Sequence, residues 1–268
     1  MKSNYIIFLI LIIFVIYLIY DNRFSYNFRY EHKQLSLENV INTHNETKIK
    51  SYNIMNKKEN IIFFLSFDYI IMPDYYSKML EILTKYCEFH NNKLFIFNHK
   101  NDDNKISCYW TRVFDFIKLS NLYNKDTLIV YLDIDTCINS KYFNVSIFDI
   151  VSSIDKIENS VSDVYIGNDP SPTEFGNAGV IIIRNTDWSK DFLKLWWSKY
   201  IPNNWKIINN KWICKEENKL CQWAGNNYEQ GEFNNIYRRN ELDSKKHIKI
   251  LHFSILSNFN ILSDAFIY

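Results

Sequence analysis

From Ile61 onward, short uninterrupted apolar runs alternate with longer stretches whose apolar residues recur at helical spacing. That alternation restricts the chain more than any other feature. Ile61–Phe67 reads IIFFLSF, Lys93–Phe97 reads KLFIF and Thr127–Leu132 reads TLIVYL. Runs without polar alternation suit strands buried on both faces. Between them, residues 75–90 set Met79, Leu80, Leu83, Tyr86 and Cys87 on one helical face, and residues 109–123 turn Val113, Phe116, Ile117 and Leu119 inward. Strands separated by helices in this way make parallel pairs joined by crossovers. Val164–Ile166, Gly179–Ile183 and Ile248–Leu251 read as later strands. Residues 187–200 read as a helix capped by Asp187, with Phe192, Leu193, Leu195 and Trp196 as its apolar cover. The expected fold is α/β, a Rossmann-like and mostly parallel sheet flanked by helices, with its ligand site outside the carboxyl ends of the strands.

What precedes Ile61 has a different character. Tyr5–Tyr20 is YIIFLILIIFVIYLIY, with no charged residue, Gly or Pro. It reads as a membrane span at the short end of the range, suited to a thin early-secretory bilayer, with Tyr5, Tyr17 and Tyr20 at its interfaces. A cleaved signal peptide competes with this reading, but no small-x-small cleavage site follows. Lys2 before the run and Arg23 and Arg29 after it leave the orientation nearly balanced. The polar, Asn- and Lys-rich residues 23–58 read as a stem, so the expected division is a signal anchor at 1–22, a stem at 23–58 and a globular domain at 59–268.

A formal charge of +1 gives no electrostatic footprint for nucleic acid, and 47% hydrophobic residues can furnish a large core. Cys214 and Cys221 bracket CKEENKLC, which forms a local disulfide loop in an oxidising compartment, whereas no Cys/His pair lies nearby to make a zinc site. Cys87, Cys108 and Cys137 read as buried apolar thiols. Asn45-Glu-Thr and Asn144-Val-Ser are glycosylation sequons.

The candidate chemistry begins at Asp133-Ile-Asp135, directly after the third strand. Continued extension would point both carboxylates the same way, as hard oxygen donors for Mg²⁺ or Mn²⁺ with diphosphate oxygens completing the shell. Such an ion neutralises charge on a leaving diphosphate. The small residues of Asn177-Ala-Gly179 let backbone approach a ligand closely, although a plain turn explains them equally. His252, after the last short strand, is either a neutral metal ligand or a packed core histidine. Glu229-Gln230 could orient a hydroxyl and donate to an oxygen; the bland reading is a surface carboxylate at a helix N-terminus.

Taken in order, VYLDIDTCI, GNDPSPTEFGNAGVIIIRNTDWSKDFLKLWW, YEQGEFNNIY and ILHFS resemble the metal-dependent retaining glycosyltransferases of the GT-A fold, nearest the fungal Golgi α-galactosyl/α-mannosyltransferases and the plant xyloglucan xylosyltransferases. The resemblance spans roughly residues 60–255. It implies that residues 59–268 are a GT-A catalytic domain. It implies that Asp133, Asp135 and His252 bind the metal, and that Asn177 and Gly179 line the donor-sugar pocket. It also implies that Asn168 and Asp169 touch donor or acceptor. The family's usual Asp-Gln pair is Glu229-Gln230 here, one methylene longer. Arg112 takes about the place of a family lysine and would clamp the diphosphate bidentately.

The implied activity is transfer of a hexose or pentose from a UDP- or GDP-sugar to a glycan or glycoprotein acceptor, with retention of configuration. The implied location is the Golgi or ER membrane, single-pass type II, with the catalytic domain lumenal. The alternative is a membrane-tethered, non-catalytic sugar-binding homologue. An Asp-x-Asp phosphatase or nuclease would place its motif early in the chain, and a purely structural membrane protein would leave Asp133 and Asp135 unexplained.

Overall fold

The computed structural model describes residues 61–68, 74–99, 106–168, 176–209, 211–215, 225–252 and 255–256. The Tyr5–Tyr20 run, the stem, Asp169 and Cys221 lie outside the described residues. Among the described residues, no helix is long and apolar enough to cross a membrane.

The chain runs β1 (Ile61–Phe67), α1 (Asp74–Phe89), β2 (Lys93–Asn98), α2 (Cys108–Leu122), β3 (Leu128–Leu132), α3 (Ile147–Glu158), β4 (Val164–Gly167), β5 (Asn177–Arg184), α4 (Asp187–Ser198), β6 (Trp205–Ile208), β7 (Lys211–Cys214), α5 (Glu229–Arg239), α6 (Ser244–His247) and β8 (Ile248–Leu251). One six-stranded sheet has the order β2-β1-β3-β5-β4-β8, and β6 and β7 form a separate hairpin.

The pairs β1–β2, β1–β3 and β4–β8 are parallel, as the alternation predicted. β5 runs antiparallel to both β3 and β4, the exception that a mostly parallel sheet leaves room for. The reason is chain length. Residues 168–176 are too few for the dozen or more that a parallel crossover needs.

Alternation along each strand feeds two separate cores. Phe63, Leu65, Val130 and Ile182 face one side, against Leu83, Tyr86 and Cys87 of α1 and Ile147, Ile150, Val151 and Ile154 of α3. Phe64, Ile129, Tyr131 and Ile183 face the other, against Val113 and Phe116 of α2, Phe192 and Trp196 of α4, and Phe233 and Ile236 of α5. The sheet is thus sandwiched between helical layers, which explains why its strand sequences are apolar throughout.

Three features differ from the sequence reading or lie beyond it. α3 was not anticipated, although its buried Ile147, Ile150, Val151 and Ile154 have helical spacing and Ser146 caps it by accepting from the Asp149 N–H. The β6–β7 hairpin was also missed. α4 is capped by Thr186 rather than Asp187, through a reciprocal capping box with Ser189.

Candidate active site

β3, β4 and β8 end at one edge of the sheet, and the reversed β5 begins there. Asp133, Asn168, His252 and Asn177–Gly179 therefore share that edge, as the topology of an open α/β sheet requires of a ligand site. The β4–β5 ladder is broken at this point. Ile166 pairs with Ile181, but Gly167 pairs with Asn177, so residues 178–180 bulge away from β4. They stay with β3: Val180 still pairs with Leu132, and the Asp133 N–H donates to the Gly179 carbonyl at 2.8 Å.

Strand geometry stops at Leu132. The Thr136 N–H donates to the Asp133 carbonyl at 3.0 Å, closing a turn, and the Thr136 hydroxyl donates to the same carbonyl at 2.6 Å. Side-chain parity from Asp133 to Asp135, assumed for an extended segment, therefore does not hold. Asp133 lies partly buried in the wall and Asp135 is exposed. The two still feel each other: burial first, then the Asp133 charge, raises the Asp135 pKa.

Arg112, in the first turns of α2, is the hub of the wall. Its Nη2 lies 3.0 Å from Asp133 Oδ1. Its Nη1 donates to the Ala178 carbonyl at 2.9 Å and lies 3.5 Å from Glu229 Oε1. The guanidinium also stacks 4.6 Å above the Tyr131 ring, and the Tyr131 hydroxyl donates to Asp133 Oδ1. Burial opposes the guanidinium's charge, but Asp133, Tyr131 and Glu229 outweigh it and hold the group protonated. Arg112, expected to grip a diphosphate, is here engaged with two carboxylates of the protein itself.

Glu229 opens α5, as the helix-terminus reading had it, yet it is only 4% exposed rather than on the surface. Indoles fix it: Trp196 Nε1 donates to the Glu229 carbonyl and Trp110 Nε1 to the Asn227 carbonyl, each at 2.8 Å. Tyr228 packs edge-on to Tyr109 and Trp205 at 4.9 and 5.0 Å. Burial pushes the Glu229 carboxyl up to about 7 against the pull of Arg112, and its Oε2 has no hydrogen-bond partner. Cys108 also belongs to this wall: burial raises its thiol pKa, and the charges of Asp68 and Glu229 add to the effect.

Gln230 sits beside Glu229 and uses its Oε1 to accept from the Ala178 N–H at 2.9 Å. Asn177 Oδ1 accepts from the Gly179 N–H at 2.8 Å, so Asn177 and Gly179 form one locally braced turn. Asn168, at the end of β4, is buried, and its Oδ1 has no partner.

The structure thus brings together Arg112, Asp133, Asn177, Gly179, Glu229 and Gln230. It does not gather His252 with the aspartates: among the described residues no group of three His, Cys, Asp or Glu side chains is placed to hold an ion. β8 lies three strands from β3, roughly 14 Å at sheet spacing. Two mutually coupled carboxylates, one of them exposed, nevertheless suit a divalent cation in chemical type. Cys214 is buried at the end of β7; the expected bridge to Cys221 falls on a residue outside the described ones.

Asn234 was missed. It is fully buried in α5 and holds Gly176 by both backbone groups. Its only signal in the sequence was an amide set among the buried positions of a helix.

No protein-family model matches the chain, and no curated protein does. Among solved structures, a glycosyltransferase involved in glycosylation of the major capsid of PBCV-1 superimposes with a TM-score of 0.53 at 16% identity, covering 77% of this chain and 92% of that one. The chain shares the fold of that enzyme. An active-site mutant of LgtC (TM-score 0.31, 14% identity, 52% of this chain and 63% of that one) and the galactosyltransferase LgtC with donor and acceptor sugar analogues (TM-score 0.26, 14% identity, 50% and 59%) also match, but too loosely to carry an argument. In this shared fold, the residues around Arg112 and Glu229 occupy the carboxyl edge of the sheet.

Proposed function

We propose that the protein is a metal-dependent glycosyltransferase. It moves a hexose or pentose from a UDP- or GDP-sugar to a hydroxyl of a glycan or glycoprotein, with retention of configuration. The observation that carries this reading is the convergence of Asp133, Arg112, Glu229 and the bulged start of β5 at the carboxyl edge of a glycosyltransferase fold. Asp135 and Asp133 are the residues that would hold Mn²⁺ or Mg²⁺; the chemistry the ion supplies there is neutralisation of charge on the leaving nucleoside diphosphate.

The chain's own residues do the rest. Arg112 stays cationic and keeps Asp133 and Glu229 in register. Glu229 titrates near neutrality and can exchange a proton with a sugar hydroxyl. Asn177, Gly179 and Asn168 shape the pocket for the donor sugar. In this reading Tyr5–Tyr20 anchors the protein in a Golgi or ER membrane as a single-pass type II protein, with the domain lumenal.

The test is a donor-hydrolysis screen of the full-length protein in detergent, over common UDP- and GDP-sugars with Mn²⁺ or Mg²⁺, with the product anomer followed by NMR. The expected outcome is hydrolysis of one donor that is lost in EDTA. Sugar binding without turnover of any donor would establish the non-catalytic homologue instead.

A further inference from the structure

The bulge in β5 raises a question of hydrogen-bond supply. Buried backbone N–H and C=O groups are almost always paired; Ala178 lies in the stretch 178–180 that has left the β4 ladder, and Gly176 lies just beyond the Gly167–Asn177 pair at which that ladder ends. Side chains take its place. The Gly176 N–H donates to Asn234 Oδ1 at 2.8 Å, and Asn234 Nδ2 donates back to the Gly176 carbonyl at 3.0 Å. The Ala178 N–H is taken by Gln230 and the Ala178 carbonyl by Arg112, each at 2.9 Å. Two of these three side chains, Gln230 and Asn234, come from α5, the helix that also carries Glu229.

A single carboxamide satisfying both polar groups of one residue reproduces the pairing of a strand neighbour. The approach is close as well. A Cβ on Gly176 would fall 2.9 Å from Ile166 Cδ1 and 3.4 Å from Asn234 Oδ1, so this backbone lies packed between the β4 side chain and the carboxamide.

We propose that Asn234 is a positioning residue, whose two-point grip on Gly176 anchors the chain where the β4 ladder ends and holds the Asn177–Gly179 turn in the shape the donor sugar requires. The functional half of this statement rests on the glycosyltransferase reading above; the structural half does not. Through α5, the grip also ties the height of the turn to the placement of Glu229, because both sit on one rigid helix. Misplacement of reacting groups by about 1 Å can cost about 10²-fold in rate, so a slack turn should act on turnover more than on donor binding.

The experiment combines hydrogen–deuterium exchange with donor hydrolysis, on the full-length protein and the variants Asn234→Ala and Asn234→Leu. Exchange should rise in peptides covering residues 176–180 while β1 and β3 stay protected. The kcat per folded molecule should fall by about 10²-fold, with donor KM changed far less. Unchanged exchange at residues 176–180 overturns the grip, and raised exchange with unchanged kcat overturns its catalytic consequence. A merely structural role would raise exchange throughout the domain and lower the melting temperature without that kcat loss. Where Asn234→Ala does not fold, Asn234→Leu decides the matter, since it keeps the side-chain volume and removes both hydrogen bonds to Gly176. If the wild-type protein hydrolyses no donor, the enzyme reading fails, and the exchange measurement still decides whether Asn234 holds the turn.

Discussion

At the scale of single residues, the wall of the site is governed by one cation shared between two carboxylates. Arg112 meets Asp133 at 3.0 Å and Glu229 at 3.5 Å, all largely removed from water. Asp133 and Asp135 then have different duties despite their common motif. Asp135 is exposed, so Asp135→Ala should abolish metal-stimulated turnover while leaving the urea midpoint nearly unchanged. Asp133→Ala removes a partner from a buried guanidinium and should lower stability as well; equal midpoints for the two variants would contradict this division. Glu229 gives a pH signature. Burial raises its pKa from 4.5 in the unfolded chain to about 7 in the fold, so the folded protein binds this proton more tightly. Its stabilising contribution is complete below pH 4.5 and is lost as the pH rises through about 7. Glu229→Gln mimics the protonated state. Its melting temperature should therefore gain on that of the wild type between about pH 4.5 and about pH 7 and level off above that, and a flat difference across the window would refute the assignment.

At the scale of elements, what matters is how each one ends. α4 starts on a capping box in which the Thr186 side chain accepts from the Ser189 N–H while the Ser189 hydroxyl takes the Thr186 N–H. Thr186 also donates to Asp163, so it ties the start of α4 to the strand that precedes the site. Thr186→Ala should cost about 1–2 kcal/mol of unfolding free energy, measured by urea titration at constant m-value. α5 is an element whose sequence misleads. EQGEFNNIYRR is polar enough to suggest a surface helix, yet Glu229, Gly231, Glu232, Phe233, Asn234, Asn235 and Ile236 are all buried. Its polar side chains turn inward to Arg112 and the start of β5, so polarity here marks a buried hydrogen-bonding face rather than a solvated one.

For the whole molecule, stability and site placement come from the same sheet. β1 stands between β2 and β3 and supplies both cores, with Phe63 on the α1 side and Phe64 on the α2 side. Phe64 meets Phe116 at 4.7 Å, Tyr131 at 5.1 Å and Phe97 at 6.0 Å. Phe64→Ala should cost about 3–5 kcal/mol, a large share of a domain's usual margin, and should reduce the soluble folded fraction on expression. A fall in melting temperature of only a degree or two would show that the α2 layer closes over the cavity. The same layer carries Arg112, so this core variant should also loosen the Asp133 contact and reduce turnover in the fraction that remains folded.

Sequence alone determined the α/β class and the strands β1, β2, β3, β4 and β8 to within a residue or so, because buried strands must be apolar throughout. That Arg112, Asp133, Asn177, Gly179, Glu229 and Gln230 would lie near one another was implied by the family resemblance, not by any local pattern. Only the tertiary structure decided the rest. The reversal of β5 follows from a short connection and its bulge from the partners on either side, neither of which leaves a periodic trace. The turn at Asp133–Thr136 ended the strand parity that had paired Asp133 with Asp135. Asn234 and Arg112 took their roles from backbone groups far away in sequence, at Gly176 and Ala178. A hydrogen bond between distant residues is set by how the elements pack, and no local pattern in the chain records it.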